Sequence, residues 1–225
     1  MTTMPEGHIV SVNIGAVREI VYRGRPRTTG IWKEPVAGRL PVLAEQVSGD
    51  HQADPSVHGG PAKAVYSYAS EDYAWWGEEL GESLSPGTFG ENLTTAGIDL
   101  NDLRIGQQVR AGTALLEVTA PRFPCWKLGF RMGTQKFPRR FLGAARAGTY
   151  FAVVEQGDVG AGDPIVVASW PAHPVTVGLI AHLNHADRQL AALLMDAVQA
   201  GLSPNEWEAL LGRFDGGLLL PPGPP

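Results

Sequence analysis

The only cysteine of this sequence, Cys125, lies in a stretch that holds seven basic residues and no acid. Arg122, Lys127, Arg131, Lys136, Arg139, Arg140 and Arg146 all fall between Glu117 and Glu155, with no Asp or Glu among them. Positive neighbours favour the thiolate, which is the form that ligates metals or attacks electrophiles. The chain as a whole is acidic, with 23 Asp and Glu against 18 Lys and Arg. Gathering seven cations around one thiol in such a chain points to an anion received beside it. The competing reading is a buried, inert cysteine next to a solvated basic loop.

A second set runs from Asp50-His51-Gln52-Ala53-Asp54 through Val57-His58-Gly59-Gly60 to Lys63. Paired glycines permit positive φ, and their successive amides can form an anion-binding nest; taken alone, Gly59-Gly60 equally makes a plain turn. His51, Asp54 and His58 imitate a zinc set, but no further ligands complete it. Asn92, in Gly90-Glu91-Asn92, stands where asparagine commonly satisfies its own backbone. His182 and His185 read as surface or packing residues.

These residues need a scaffold, and most of it is β-prone. Ile9 to Ile14 and Val17 to Tyr22 flank Gly15, and Gly30 to Lys33 opens another extended piece. Lys63 to Tyr68 alternates as a strand and leads into a helical spacing of Tyr73, Trp76 and Leu80. Val109 and Leu115 to Thr119 flank Ala111-Gly112 as a hairpin. Tyr150 to Val154 and Pro164 to Ala168 are expected to pair as two further strands. After Pro174 the period becomes 3.6, giving three short helices around Val177 to Leu183, Leu190 to Val198 and Trp207 to Leu211. Asp187 and Gly201 bound the second, and Ser203-Pro204-Asn205-Glu206 is a capping box for the third. The expected organisation is a β-rich domain over 1–173, a three-helix extension over 174–214 and a Gly/Pro-rich tail over 215–225.

Composition limits the function classes. Hydrophobic residues at 44% and charged residues at 18% suit a globular core. A net charge of −5 argues against general nucleic-acid binding. One cysteine allows no intrachain disulfide. Neither a signal-peptide core nor a run of about 18 apolar residues occurs, so a cytoplasmic protein without a membrane span is expected.

The pieces also occur in a telling order. TGIWKEPV (29–36), GDHQAD (49–54), VHGG (57–60) with Lys63, KAVYSY (63–68), FGENL (89–93), RIG (104–106) and PRFPC (121–125) resemble the MOSC-domain family, and most closely its bacterial YiiM-like branch. The resemblance covers roughly residues 8 to 170 and extends to that branch's three C-terminal helices. Ala62 departs from it, standing where the pattern has an acidic residue. The resemblance implies a mainly β fold, barrel-like, that binds the molybdenum cofactor. Cys125 would be the metal ligand, with Lys33, Gly59, Gly60, Lys63, Asn92 and Arg122 contacting the cofactor and His58 joining Cys125 in catalysis. Phe123 and Trp126 would pack around the ligand. The implied activity is reduction of N-hydroxylated compounds, such as N-hydroxylaminopurines, to amines. The chain lacks a dinucleotide-binding fingerprint and the cysteines for an iron–sulfur cluster, so electrons would come from a separate flavoprotein reductase. A persulfide-bearing sulfur carrier, a Cys–His hydrolase and a non-enzymatic binding module are the alternatives.

Overall fold

The β-branched and aromatic runs close into a barrel. The computed structural model describes residues 7–53 and 59–202, with Glu206, Trp207 and Leu210 beyond them and the backbone alone for 184–186. Its strands are β1 (Gly7–Ile14), β2 (Arg18–Tyr22), β3 (Arg25–Thr29), β4 (Glu34–Pro35), β5 (Arg39–Leu43), β6 (Gln46–Val47), β7 (Val65–Ala69), β8 (Leu93–Ala96), β9 (Gln108–Ala111), β10 (Ala114–Pro121), β11 (Thr149–Glu155), β12 (Gly157–Gly160) and β13 (Pro164–Ser169). The helices are α1 (Ser70–Leu80), α2 (Trp126–Arg131), α3 (Phe137–Gly143), α4 (Val177–Ala186) and α5 (Arg188–Ala200).

Around the barrel the order is β13-β9-β10-β11-β7-β8-β1, and β1 returns to β13 through Gly7↔Ile165 and His8↔Pro164. Closure leaves no open edge in this ring. Every neighbouring pair is antiparallel except β7–β8, whose parallel register needs the crossover that α1 supplies.

Strand β7 shows why the sequence folds this way. Val65 and Ala69 face the barrel interior with Leu93, Leu116 and Phe151. Tyr66 and Tyr68, on the opposite face, join Trp76, Phe89, Phe137 and Phe141 beneath the helices. Both faces are covered, so all five residues of this strand are buried. On the far side of the core, Val177, Ile180, Leu183 and Leu194 from α4 and α5 join the same cluster as the barrel strands. Thr176 caps α4 by accepting from the Leu179 amide (3.1 Å). Asp187 caps α5, and Gly201 ends it in the left-handed region at φ 64°.

Several expectations need correction. Tyr150–Val154 and Pro164–Ala168 are not partners: closure places β9 and β10 between them, while β12, in the intervening segment, pairs with β5. Gly30–Lys33 is irregular backbone rather than strand. Its place near Val17–Tyr22 is taken by β3, which pairs with β2 alone as a two-stranded ribbon outside the barrel. The basic stretch after Cys125 carries two helices, because Phe137 and Phe141 at i, i+4 bury one face in the aromatic cluster. Of the third helical segment, only Glu206, Trp207 and Leu210 are described. Ser203, Pro204 and Asn205 of the capping box and the tail at 215–225 lie outside the described residues.

Candidate functional site

Strand β10 ends at Pro121, and the next four residues leave the barrel rim before α2 begins. Arg122 turns inward, donates to the Phe89 carbonyl and lies with its guanidinium carbon 5.0 Å from the centroid of the Tyr66 ring. Only 7% of it is exposed. Cys125, half-buried, stands at the cap of α2 with extended backbone. Trp126 behind it stacks on Tyr22 of the ribbon, with centroids 4.3 Å apart.

The facing wall comes from residues 29–33 and 50–52. Gly30 is required there, since a Cβ at that position would sit 2.2 Å from the His51 carbonyl oxygen. Lys33 Nζ donates to Asp50 Oδ2 at 2.6 Å. The same oxygen accepts from Asn92 Nδ2 (3.0 Å), and Asp50 Oδ1 accepts from the Gly15 amide (2.9 Å). Asn92 Oδ1 in turn accepts from the Tyr66 amide at 3.1 Å. One buried carboxylate therefore ties three chain segments together. Gly87 lets another segment approach this wall, because a Cβ there would meet the Lys33 carbonyl oxygen at 2.3 Å.

Burial dominates the electrostatics. It pushes Lys33 below the ordinary lysine value, with Asp50 only partly restoring the charge. Burial also works against the Arg122 charge, but the Tyr66, Tyr150 and Cys125 groups outweigh it and hold that pKa above the usual arginine value. The phenols of Tyr66 and Tyr150 are both raised, chiefly by burial, so both stay protonated at neutral pH. Just behind the wall, Glu91 Oε1 accepts from Tyr73, the Gly87 amide and Thr94, while its Oε2 is buried without a partner among the described residues. Burial raises the Glu91 pKa.

The pocket between these walls is lined by Lys33, Lys63, Asn92, Arg122 and Cys125, named above from four separate segments of the sequence. Asn92 is there with its amide already engaged by Asp50. Gly59 and Gly60 do not line it: Gly60, at φ 89°, turns the chain into a short 3-10 turn over Pro61–Lys63 that presents Lys63 instead. His58 lies outside the described residues. Trp126 packs against the ribbon, and Phe123 is 44% exposed. The reading missed Asp50 as the partner of Lys33, and also Thr29, Lys127 and Tyr150 as lining residues. His51 lines the same pocket, yet no group of three metal-ligating side chains forms among the described residues. None of the described helices is long and apolar enough to cross a membrane.

Comparison with known proteins gives the same account of the fold. The family model of the MOSC domain matches residues 54–166. The uncharacterized protein YflK of Bacillus subtilis is 35% identical over 89% of this chain and 91% of its own length. A protein named a reductase in Gibberella moniliformis is 31% identical over 75% of this chain, which spans only 30% of that longer protein. The crystal structure of YiiM from Geobacillus stearothermophilus superposes with a TM-score of 0.69 at 30% identity, covering 92% of this chain and 98% of that one.

Proposed function

Because the chain belongs to the MOSC-domain family and is YiiM-like within it, we propose that its pocket holds a molybdenum cofactor and reduces N-hydroxylated compounds to amines. MOSC domains are in general associated with that cofactor. The carrying observation is a half-buried thiol sharing one pocket with Lys33, Lys63, Arg122 and Lys127.

The donor set fits the group. A thiolate is a soft ligand suited to a metal already bound by sulfur, so Cys125 would hold the metal. Lys33 has three N–H donors and Arg122 five. Their bonds to Asp50 and Phe89 leave both with donors for a phosphate. Lys63 and Lys127 add charge to the same pocket, and Asn92 holds Asp50 in place. When bound, the cofactor supplies the two-electron centre for cleavage of the N–O bond. The balance is R–NHOH with two electrons and two protons giving R–NH2 and water, with electrons from a separate flavoprotein reductase. The chain's residues orient the substrate and keep water out, and His58 joins Cys125 in catalysis.

Cys125→Ser tests this reading, since serine is a harder and far less acidic ligand of nearly the same size. Protein from a cofactor-sufficient host is assayed for molybdenum by mass spectrometry. Turnover of an N-hydroxylated base is driven by reduced methyl viologen. The expected result is near-stoichiometric metal and turnover in the parent and loss of both in the variant, with circular dichroism unchanged. Equal metal and turnover in the variant would refute it, and cyanide-labile sulfur without molybdenum would favour the persulfide carrier.

A further inference from the structure

We propose that one face of the β2–β3 ribbon binds the phosphate of the substrate, so that the preferred compound is an N-hydroxylated nucleotide over its free base. This rests on the reductase reading above and names the substrate class within it.

Residues directly opposite in an antiparallel pair put their side chains on the same face. The ribbon register sets Arg18 against Thr29, Ile20 against Arg27 and Tyr22 against Arg25, so these six share one face. Glu19, Thr28, Val21 and Pro26 occupy the other. Two contacts orient the first face. Tyr22 stacks on Trp126, next to Cys125, and Thr29 lines the pocket itself. Thr29, Arg27 and Arg25 thus form one row running out of the pocket along β3. Successive members are about 7 Å apart, two residues of an extended strand.

The charge on this ribbon is segregated. All the arginines within its paired strands lie on the pocket-side face, and the outward face carries none. Ile20 and Tyr22 share the arginine face, whereas Val21, on the outward face, is 69% exposed. Arg18 is neutralised by Glu34 at 2.9 Å. Neither Arg25 nor Arg27 forms a salt bridge among the described residues. Two arginines in a row at the mouth of a pocket match a phosphate tail trailing from a base held inside, because guanidinium forks bind phosphate through paired N–H bonds. Lys33 and Arg122, with Lys63 and Lys127 beside them, line the pocket and serve the cofactor in the proposed function, and the ribbon pair lies outside that set.

The experiment compares 6-N-hydroxylaminopurine with its riboside and riboside 5′-monophosphate, using holoprotein and reduced methyl viologen. A KM roughly ten-fold or more lower for the monophosphate is expected, from charge-assisted bonds to one phosphate. Arg25→Glu/Arg27→Glu should abolish that preference and leave turnover of the free base unchanged. The preference should also weaken with salt, since these side chains are exposed. Equal KM values for base and monophosphate, or a preference that survives the double variant, would overturn the proposal and leave the reductase reading intact. Calorimetric binding of adenosine 5′-monophosphate and adenosine needs no turnover. Should no substrate be reduced at all, the reductase reading fails, and tighter binding of the monophosphate, lost in the double variant, still supports the phosphate site; equal binding overturns it. A defect confined to assays with a protein electron donor would assign the arginines to an acidic redox partner, and would likewise overturn the nucleotide proposal.

Discussion

Replacing Asp50 by Asn tests whether the site wall is held by a buried charge. The Asp50 side chain is 1% exposed and that of Lys33 10%, so water screens little of their attraction. Breaking one side of such a pair costs about 3–5 kcal/mol, because the remaining charge is stranded. Asparagine keeps one oxygen for the Gly15 amide but turns an N–H2 toward Lys33 or Asn92, both of them donors. The stranded lysine can instead release its proton. For an ordinary lysine that would cost about 4–5 kcal/mol at pH 7, at ~1.36 kcal/mol per pH unit. Burial already lowers the Lys33 pKa, so the cost here is smaller and caps the loss. The expected destabilisation is therefore about 3–4 kcal/mol, a large share of the roughly 5–15 kcal/mol typical of a domain. Urea unfolding at neutral pH measures it. Adding Lys33→Met should restore part of the loss, since removing both charges strands neither. The sign with pH follows from the proton count. A folded-state lysine pKa below the unfolded value means that the unfolded chain binds more protons between the two, so stability rises with pH there. Without Asp50 the Lys33 pKa falls further, so the deficit of Asp50→Asn should shrink with rising pH until the parent's own Lys33 also loses its proton. A loss below about 1 kcal/mol, the size expected of an exposed pair, would refute the argument, as would a double variant that is simply additive.

Two further outcomes follow from neighbouring elements. Glu91 has a raised folded-state pKa from burial, so its contribution is favourable in acid and is lost as pH rises from the ordinary glutamate value through the folded one. Glu91→Gln should flatten that part of the stability curve above the ordinary glutamate value, and an unchanged slope in urea titrations would count against it. Tyr22→Ala removes the ribbon's stack on Trp126 and its edge contact with Phe130, 6.1 Å between centroids. A global loss of about 1–2 kcal/mol is expected, with faster amide exchange in β2 and β3 but not in β10; equal protection of the ribbon in the variant would show that other contacts hold it.

Much of the barrel is legible in the sequence because β7, β10 and β11 combine alternation with aromatic or β-branched residues. Which strands meet is not legible. The partners of β11 are set by closure of the whole ring, and no local signal distinguishes β10 from β13 as its neighbour. The ribbon is hidden for a different reason. Its second strand reads Arg-Pro-Arg-Thr-Thr, with a proline and two charges in its first three positions, and its turn places Arg23 at φ 51° where Asn or Asp would have announced a hairpin. In the site, Cys125 and its cations stand out by composition alone. Asp50 does not, because its importance lies in bonds to Lys33 and Asn92, 17 and 42 residues away. Phe137 and Phe141 carry the helical spacing of α3, and the charges around them draw attention to chemistry in place of packing.

The seam between β1 and β13 sets an order of events during synthesis. Strand β1 is made before every other strand of the ring, and its closing partner, near Ile165, emerges more than 150 residues later. Until then the β1–β8 pair can form, but the ring stays open and its two unpaired rims are exposed to other chains. The wall built on Gly15, Lys33 and Asp50 and the one built on Arg122 and Cys125 are joined through β8, β7 and β11, all of which precede the seam in the chain. A ribosome-bound chain halted before β13 should therefore hold the strands that carry the site without the closure that fixes their curvature. Until β13 arrives, β9 and β1 are the edges open to pairing with another chain.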